Sequence, residues 1–325
     1  MTPLERALRD RIRKEGPITV EAYMEACNAY YYAARDPFGS AGDFTTAPEI
    51  SQMFGEMVGA GLADCWQRAG SPADAFFVEL GPGRGTLAAD ALRVMRRAGF
   101  GGEVHLVETS PVLRNVQKQA MPDAFWHERF DALPQRPMLL VANEFLDALP
   151  IRQFTNGVER RVTIAAARLA FDRDGEIVET SPAREEIVAA VARNLVQHGG
   201  AALFIDYGHE KSAPGDTLQA VRGHRFAAVH DHPGEQDLTS HVDFQAVDRV
   251  AGEAGAAVTK VVPQGEWLKR LGIDARADAL VRSNAGRAQD IRSALERLTA
   301  ANQMGELFKA IAIHSPDWPA AAGFG

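Results

Sequence analysis

The 325-residue chain predicts an α/β fold, a doubly wound, Rossmann-like, mostly parallel seven-stranded sheet with helices on both faces. Three observations predict it. Short apolar runs alternate with helical stretches from residue 76 onward. The first run passes straight into a glycine-rich loop, Glu79-Leu80-Gly81-Pro82-Gly83-Arg84-Gly85, which opens a helix. Polar residues suited to chemistry follow the runs ending at 80, 108, 143 and 206, and open parallel sheets bind ligands beyond the carboxyl ends of their strands.

Taken in order, residues 4–35 read as two helices broken at Gly16-Pro17, and a loop rich in Gly and Asp follows at 36–43. Thr46-Ala47-Pro48-Glu49 has the spacing of a capping box, with Pro in the first turn. Ile50, Phe54, Met57, Val58, Leu62, Cys65 and Trp66 then fall on one helical stripe, which Gly70-Ser71-Pro72 ends. Strands are expected at 76–80, 103–108, 125–130 (weakly marked), 138–143, 201–206, 257–262 and 309–313. Helices are expected at 86–98, after Ser110-Pro111, at 184–198 and at 244–254 behind Asp243 as N-cap. Residues 151–171 alternate as a hairpin turning at Asn156-Gly157, and helices occupy 274–303. The organisation expected is a helical N-terminal cap and lid over 1–70 and a core over 71–325, with insertions at 151–171 and 274–303.

Composition narrows the function. With 43 acidic against 35 basic residues, the net charge of −8 disfavours nucleic acid, whose binding rests on phosphate neutralisation. Two cysteines, Cys27 and Cys65, give neither a metal spacing nor a disulfide framework and read as small core residues. No apolar run reaches the roughly 18 residues of a membrane span. The first residues mix acids with arginines and lack an apolar core, so neither signal nor strong transit peptide is expected. The expectation is a cytoplasmic bacterial enzyme without metal and without membrane insertion.

The loop spacing is G-x-G-x-G, not the G-x-G-x-x-G of nicotinamide-binding folds. Glu79 stands two residues before the first glycine, where it would repel a pyrophosphate but attract the ammonium of a methionine moiety. S-adenosylmethionine is therefore favoured over NAD. Glu108 ends the second strand, placed to accept both ribose hydroxyls. Asp131, with Glu128 as competitor, is a candidate for the adenine amine.

After the fourth strand comes Asn143-Glu144-Phe145-Leu146-Asp147-Ala148-Leu149-Pro150. If it bends into a helical turn, Glu144 and Asp147 face one side, and paired carboxylates suit a guanidinium with its fork of five donors. A solvated acidic turn is the plain alternative. His241 lies in the loop after the fifth strand, as a proton acceptor, an orienting group or a structural histidine. His224 is a weaker candidate.

These motifs together, with 42–52, Asp206-Tyr207-Gly208, 237–244 and 304–309, resemble the MidA family of class I methyltransferases over nearly the whole chain. The resemblance implies a lid in which Phe44, Thr45 and Thr46 close over S-adenosylmethionine, with Gln52 behind them. It also implies protein arginine methylation and complex I assembly, the acceptor being an arginine on a complex I subunit. Rival readings are a nicotinamide oxidoreductase, a small-molecule methyltransferase, and a non-catalytic assembly factor that keeps the fold.

Overall fold

The computed structural model describes residues 1–34 and 45–325. Its central sheet holds β1 (Phe76–Leu80), β2 (Val104–Val107), β3 (Phe125–His127), β4 (Met138–Asn143), β5 (Gly200–His209), β6 (Ala257–Val258) and β7 (Phe308–His314). Their order is β6-β7-β5-β4-β1-β2-β3, and two short strands, Val242–Asp243 beside β5 and Val262–Pro263 beside β7, bring the sheet to nine where seven were expected. Strands β1 to β5 pair in parallel, and β7 runs antiparallel between β5 and β6. From β1 the chain moves outward to β2 and β3, then returns to place β4 on the other side. The order reverses between β1 and β4, so the crevice above their carboxyl ends is the place for a ligand. Every residue of β1 and β4 is buried, as a parallel strand covered on both faces requires.

One face of the sheet is covered by α3 (Gln52–Arg68), α4 (Thr86–Arg97), α8 (Gln264–Arg270), α9 (Ile273–Ser283) and α10 (Ala288–Thr299), through Phe54, Leu62, Leu92, Trp267 and Leu298. The other face is covered by α6 (Pro182–His198) and α7 (Phe244–Glu253), through Val191, Leu195, Phe244 and Val247. Helix α3, grouped with the cap on sequence grounds, thus packs on the sheet. Its Gly55 and Gly59 let α4 close in. A Cβ at these positions would stand 2.6 Å from Asp90 Cβ and 2.4 Å from the Ala91 carbonyl oxygen.

A satellite core joins α1 (Pro3–Glu15) and α2 (Val20–Ala34) to the insertions. Leu8, Ile12, Tyr23, Met24 and Cys27 pack with Ile151, Val162, Leu169, Leu218 and Leu238, and Ile18 pairs with Val162. Cys27 and Cys65 are both buried, which pushes their thiols up to about 12. Residues 151–171 form two hairpins where one was expected. Arg152–Thr155 and Val158–Glu159 turn at Asn156-Gly157, and Arg161–Ala165 and Arg168–Phe171 turn at Ala166-Ala167. Two alanines with φ of +46° and +60° carry no turn signal; Arg9, donating to the Ala167 carbonyl at 2.8 Å, helps hold them there.

The capping box also fails. Thr46 makes no side-chain cap, and its helix, Ala47–Ile50, stops at the extended Ser51, which caps α3 by accepting from the Met53 N–H. Glu49 instead accepts from the Thr86 hydroxyl at 2.5 Å, tying this segment to the helix that follows the glycine loop. Among the described residues no helix is long and apolar enough to cross a membrane.

Candidate functional site

Strand β1 delivers its chain into Gly81, Gly83 and Gly85, with φ of +62°, +55° and +81°. Gly81 also faces the neighbouring loop, since a Cβ there would lie 2.9 Å from Phe145 Cδ2. A Cβ on Gly85, the N-cap of α4, would strike Met121 at 2.6 Å. Beside this turn Thr46, Glu79, Gly81, Gly83, Asn143 and Glu144 line a small recess. Two buried acceptors there, Glu79 Oε2 and Asn143 Oδ1, have no hydrogen-bond partner. Burial pushes the Glu79 carboxyl well above the usual carboxylate range. Orphaned acceptors in a buried recess call for a donor, and a cationic ammonium supplies three.

Glu108 Oε1 accepts from the Ser110 N–H at 2.7 Å, and its Oε2 accepts from Gln117 at 3.2 Å. The same Gln117 amide, on α5 (Pro111–Ala120), donates to the Gly83 carbonyl at 2.7 Å, fixing the acid relative to the glycine loop. Glu79, the glycines, Glu108 and Asn143 thus fit S-adenosylmethionine in residue type and in place. Four other expected contacts fare differently. Phe44, with most of the expected lid, lies outside the described residues. Thr45 is half-buried outside the recess, and the exposed Gln52 turns its amide to Glu56 at 3.1 Å. Asp131 is not brought to the site: it sits in an exposed turn where Arg129 captures it at 2.7 Å. Glu128 is exposed too, 3.6 Å from Arg114.

From this end a cavity of about 930 Å³ runs past Gly81, Gly83 and Glu108 to Glu144, Asp147, Tyr207, Asp237 and His241. Glu144 has φ of +50°, a left-handed conformation that costs a non-glycine residue on the order of 1–2 kcal/mol. Its Oε1 accepts from the Ala47 N–H at 3.0 Å and from Asn143 Nδ2 at 3.1 Å. Burial, and then the nearby Asp147 charge, push Glu144 up to about 7. Burial likewise pushes Asp147 up to about 6, although the Tyr207 hydroxyl and Arg184 oppose it. Asp147 Oδ1 is buried without a partner.

Beneath this loop Asp206 Oδ2 accepts from the Leu146 and Asp147 N–H groups at 2.9 and 3.1 Å. The Tyr32 hydroxyl donates to Asp237 at 2.8 Å. His241 sets its ring edge-on to Tyr207, 5.5 Å between centroids, and burial lowers its pKa, keeping it neutral at neutral pH. His224, with φ of +61°, is a turn residue. Sequence reasoning missed the parts played by Asp206, Tyr32 and Arg184. For Arg184 a signal existed: a cation in the first turn of a helix opposes the helix dipole, so another partner had to hold it.

The chain matches the model of a family of S-adenosyl-L-methionine-dependent methyltransferases over residues 57–167 and 158–262. It is 36% identical to "Protein arginine methyltransferase NDUFAF7 homolog, mitochondrial" of Drosophila melanogaster, over 95% of this chain and 84% of that one. It is 31% identical to "Protein arginine methyltransferase NDUFAF7, mitochondrial" of Homo sapiens, over 96% and 83%. A crystal structure of a Burkholderia thailandensis protein bound to S-adenosyl-homocysteine superposes with a TM-score of 0.88, at 29% identity, covering 98% of this chain and 93% of that one. With its glycine loop, its 3-2-1-4-5-7-6 sheet and its orphaned acceptors, the chain belongs to this family, the MidA-like S-adenosylmethionine-dependent methyltransferases.

Proposed function

We propose that this methyltransferase acts on an arginine side chain of a protein. The observation that carries the reading is the pair Glu144 and Asp147, the first half-buried and the second buried, both lining the large cavity, with Asp147 Oδ1 left without a partner. When bound, S-adenosylmethionine supplies a sulfonium methyl open to in-line attack. The chain's residues do the rest. The two carboxylates accept N–H groups of the guanidinium and hold its charge away from the attacking nitrogen. As the N–C bond forms and the C–S bond breaks, that nitrogen must lose a proton. Carboxyls raised to about 7 and about 6 by burial are matched to receive it near neutral pH. Neutral His241 orients the acceptor from the opposite loop. A lysine ammonium would have to deprotonate before attack, and the same negative charge would raise its pKa and oppose that.

The relatives' names, protein arginine methyltransferase, support this acceptor class. We place the arginine on a respiratory complex I subunit, on the family resemblance, and the enzyme in a bacterial cytoplasm. Residue-level mass spectrometry of complex I subunits incubated with the enzyme and labelled S-adenosylmethionine tests the reading. Label on an arginine is the expected result; label confined to lysine or to small molecules would rule it out. Glu144→Gln and Asp147→Asn should each slow transfer roughly 30- to several-thousand-fold, the loss of one charge-assisted pair at a desolvated site, with calorimetric affinity for S-adenosylhomocysteine nearly unchanged.

A further inference from the structure

We infer that Arg184 and Asp206 are positioning residues that clamp the backbone of the acceptor loop from opposite sides and so set where Asp147 and His241 stand. This rests on the reading of Glu144 and Asp147 as the acceptor site.

Arg184 is fully buried in the first turn of α6, yet among the described residues it makes no ion pair with a carboxylate. Its guanidinium donates only to neutral oxygens: the carbonyls of Leu146 at 2.6 Å, Asp147 at 3.1 Å, Ser240 at 3.1 Å and His241 at 2.7 Å, and the Ser240 hydroxyl at 2.6 Å. Asp206, at the end of β5, does the reverse. It accepts from the N–H groups of Leu146 and Asp147, the same two residues whose carbonyls Arg184 holds. The Asp206 carboxyl therefore sits at the N–H side of these peptides and the Arg184 guanidinium at the C=O side, each bonded to peptide groups rather than to the other.

The arrangement has a use at this place. Two carboxylates, Glu144 and Asp147, repel when both are ionised, and Glu144 already holds a left-handed backbone. Such strain persists only where the surroundings over-determine it. Arg184 also joins two segments far apart in sequence, 146–147 and 240–241, and the Ser240 N–H adds a bond to the Asp147 carbonyl at 3.1 Å. A buried arginine placed solely for stability could bond any carbonyls. This one bonds those of the two loops that carry the acceptor groups. Lysine keeps the charge but has no planar fork with which to reach four carbonyls.

The test uses full-length Arg184→Lys, Asp206→Asn and the double variant. Amide hydrogen exchange with S-adenosylhomocysteine present, calorimetry with the same probe, and kcat and KM on the arginine acceptor are measured together. Exchange at 144–149 and 238–242 should rise about tenfold or more while β4 and β5 stay protected. S-adenosylhomocysteine affinity should move less than about threefold, and kcat should fall about 100-fold, the penalty of roughly 1 Å of misplacement. The double variant should lose little more than the worse single one, because both residues act on the same peptides. Unchanged exchange in both loops would overturn the clamp, and so would loosening spread evenly through β4 and β5. If Arg184→Lys does not fold, the nearly isosteric Asp206→Asn decides by the same readings. Should the wild type transfer no methyl to arginine, the acceptor reading fails separately, and exchange still decides the clamp.

Discussion

The two ends of the cavity are built on different principles. The proposed cofactor end is built around one continuous stretch, Glu79 to Gly85, with Glu108 and Asn143 beside it, and the buried Glu79 Oε2 and Asn143 Oδ1 lack donors. The proposed acceptor end is assembled from segments near 144–147, 184, 206–207 and 237–241, with Arg184 and Asp206 bonded to its backbone. The first tolerates almost no added atom; the second tolerates almost no lost charge. Local sequence encodes a turn in consecutive residues, whereas an electrostatic pocket has to be gathered from across the chain.

The largest expected effect is at Gly81. Gly81→Val adds a branched side chain at φ of +62° and drives it into Phe145, so calorimetry should show S-adenosylhomocysteine binding weakened beyond about 100-fold with the fold largely intact. A variant that folds and binds normally would reduce the loop to a plain turn.

The acceptor end should show itself in pH dependence. Glu144 and Asp147 hold a guanidinium only when ionised, so kcat/KM for the arginine acceptor should climb as pH rises through about 6 to 7 and then level. A profile flat from pH 5 to 8 would remove these carboxyls from the rate-limiting chemistry.

The same raised values make the site a stability liability. Burial holds folded Glu144 at about 7, against the ordinary 4.5 of a free carboxyl, so the folded state binds the extra proton and stability is lost as pH rises between the two. Glu144→Gln should therefore be more stable than wild type at pH 8, by on the order of 1–3 kcal/mol in thermal or denaturant unfolding, and lose that advantage toward pH 4.5. A lower melting point at pH 8 would mean that the Ala47 and Asn143 bonds outweigh the buried charge.

The smallest effect is expected at Asp131. It is exposed and paired with Arg129, so Asp131→Ala should change S-adenosylhomocysteine affinity less than about twofold by calorimetry. A tenfold loss would return it to the cofactor site.

The sheet and glycine loop could be read from the sequence because their signals are local: buried runs such as 76–80 and 138–143, and glycines where φ must be positive. Glu144 and Asp147 were expected on one side of a helical turn; the segment is instead a non-helical loop with Glu144 at φ of +50°, although both acids line the cavity. The rest depended on contacts across the chain. Glu49 looks like a capping residue until Thr86 comes within reach, and Ala166-Ala167 turns where Arg9 holds its carbonyl; Asp131 is the exception, drawn off by a neighbour two residues away. Arg184 meets its partners 37 to 57 residues distant in the chain.

Phe145 stands against Gly81, so the acceptor loop and the glycine loop meet at this ring. Anyone reshaping this enzyme for a bulkier acceptor would trim that ring first, and would thereby open a hole behind the methyl donor as well. Acceptor range and grip on the donor are therefore one design variable here.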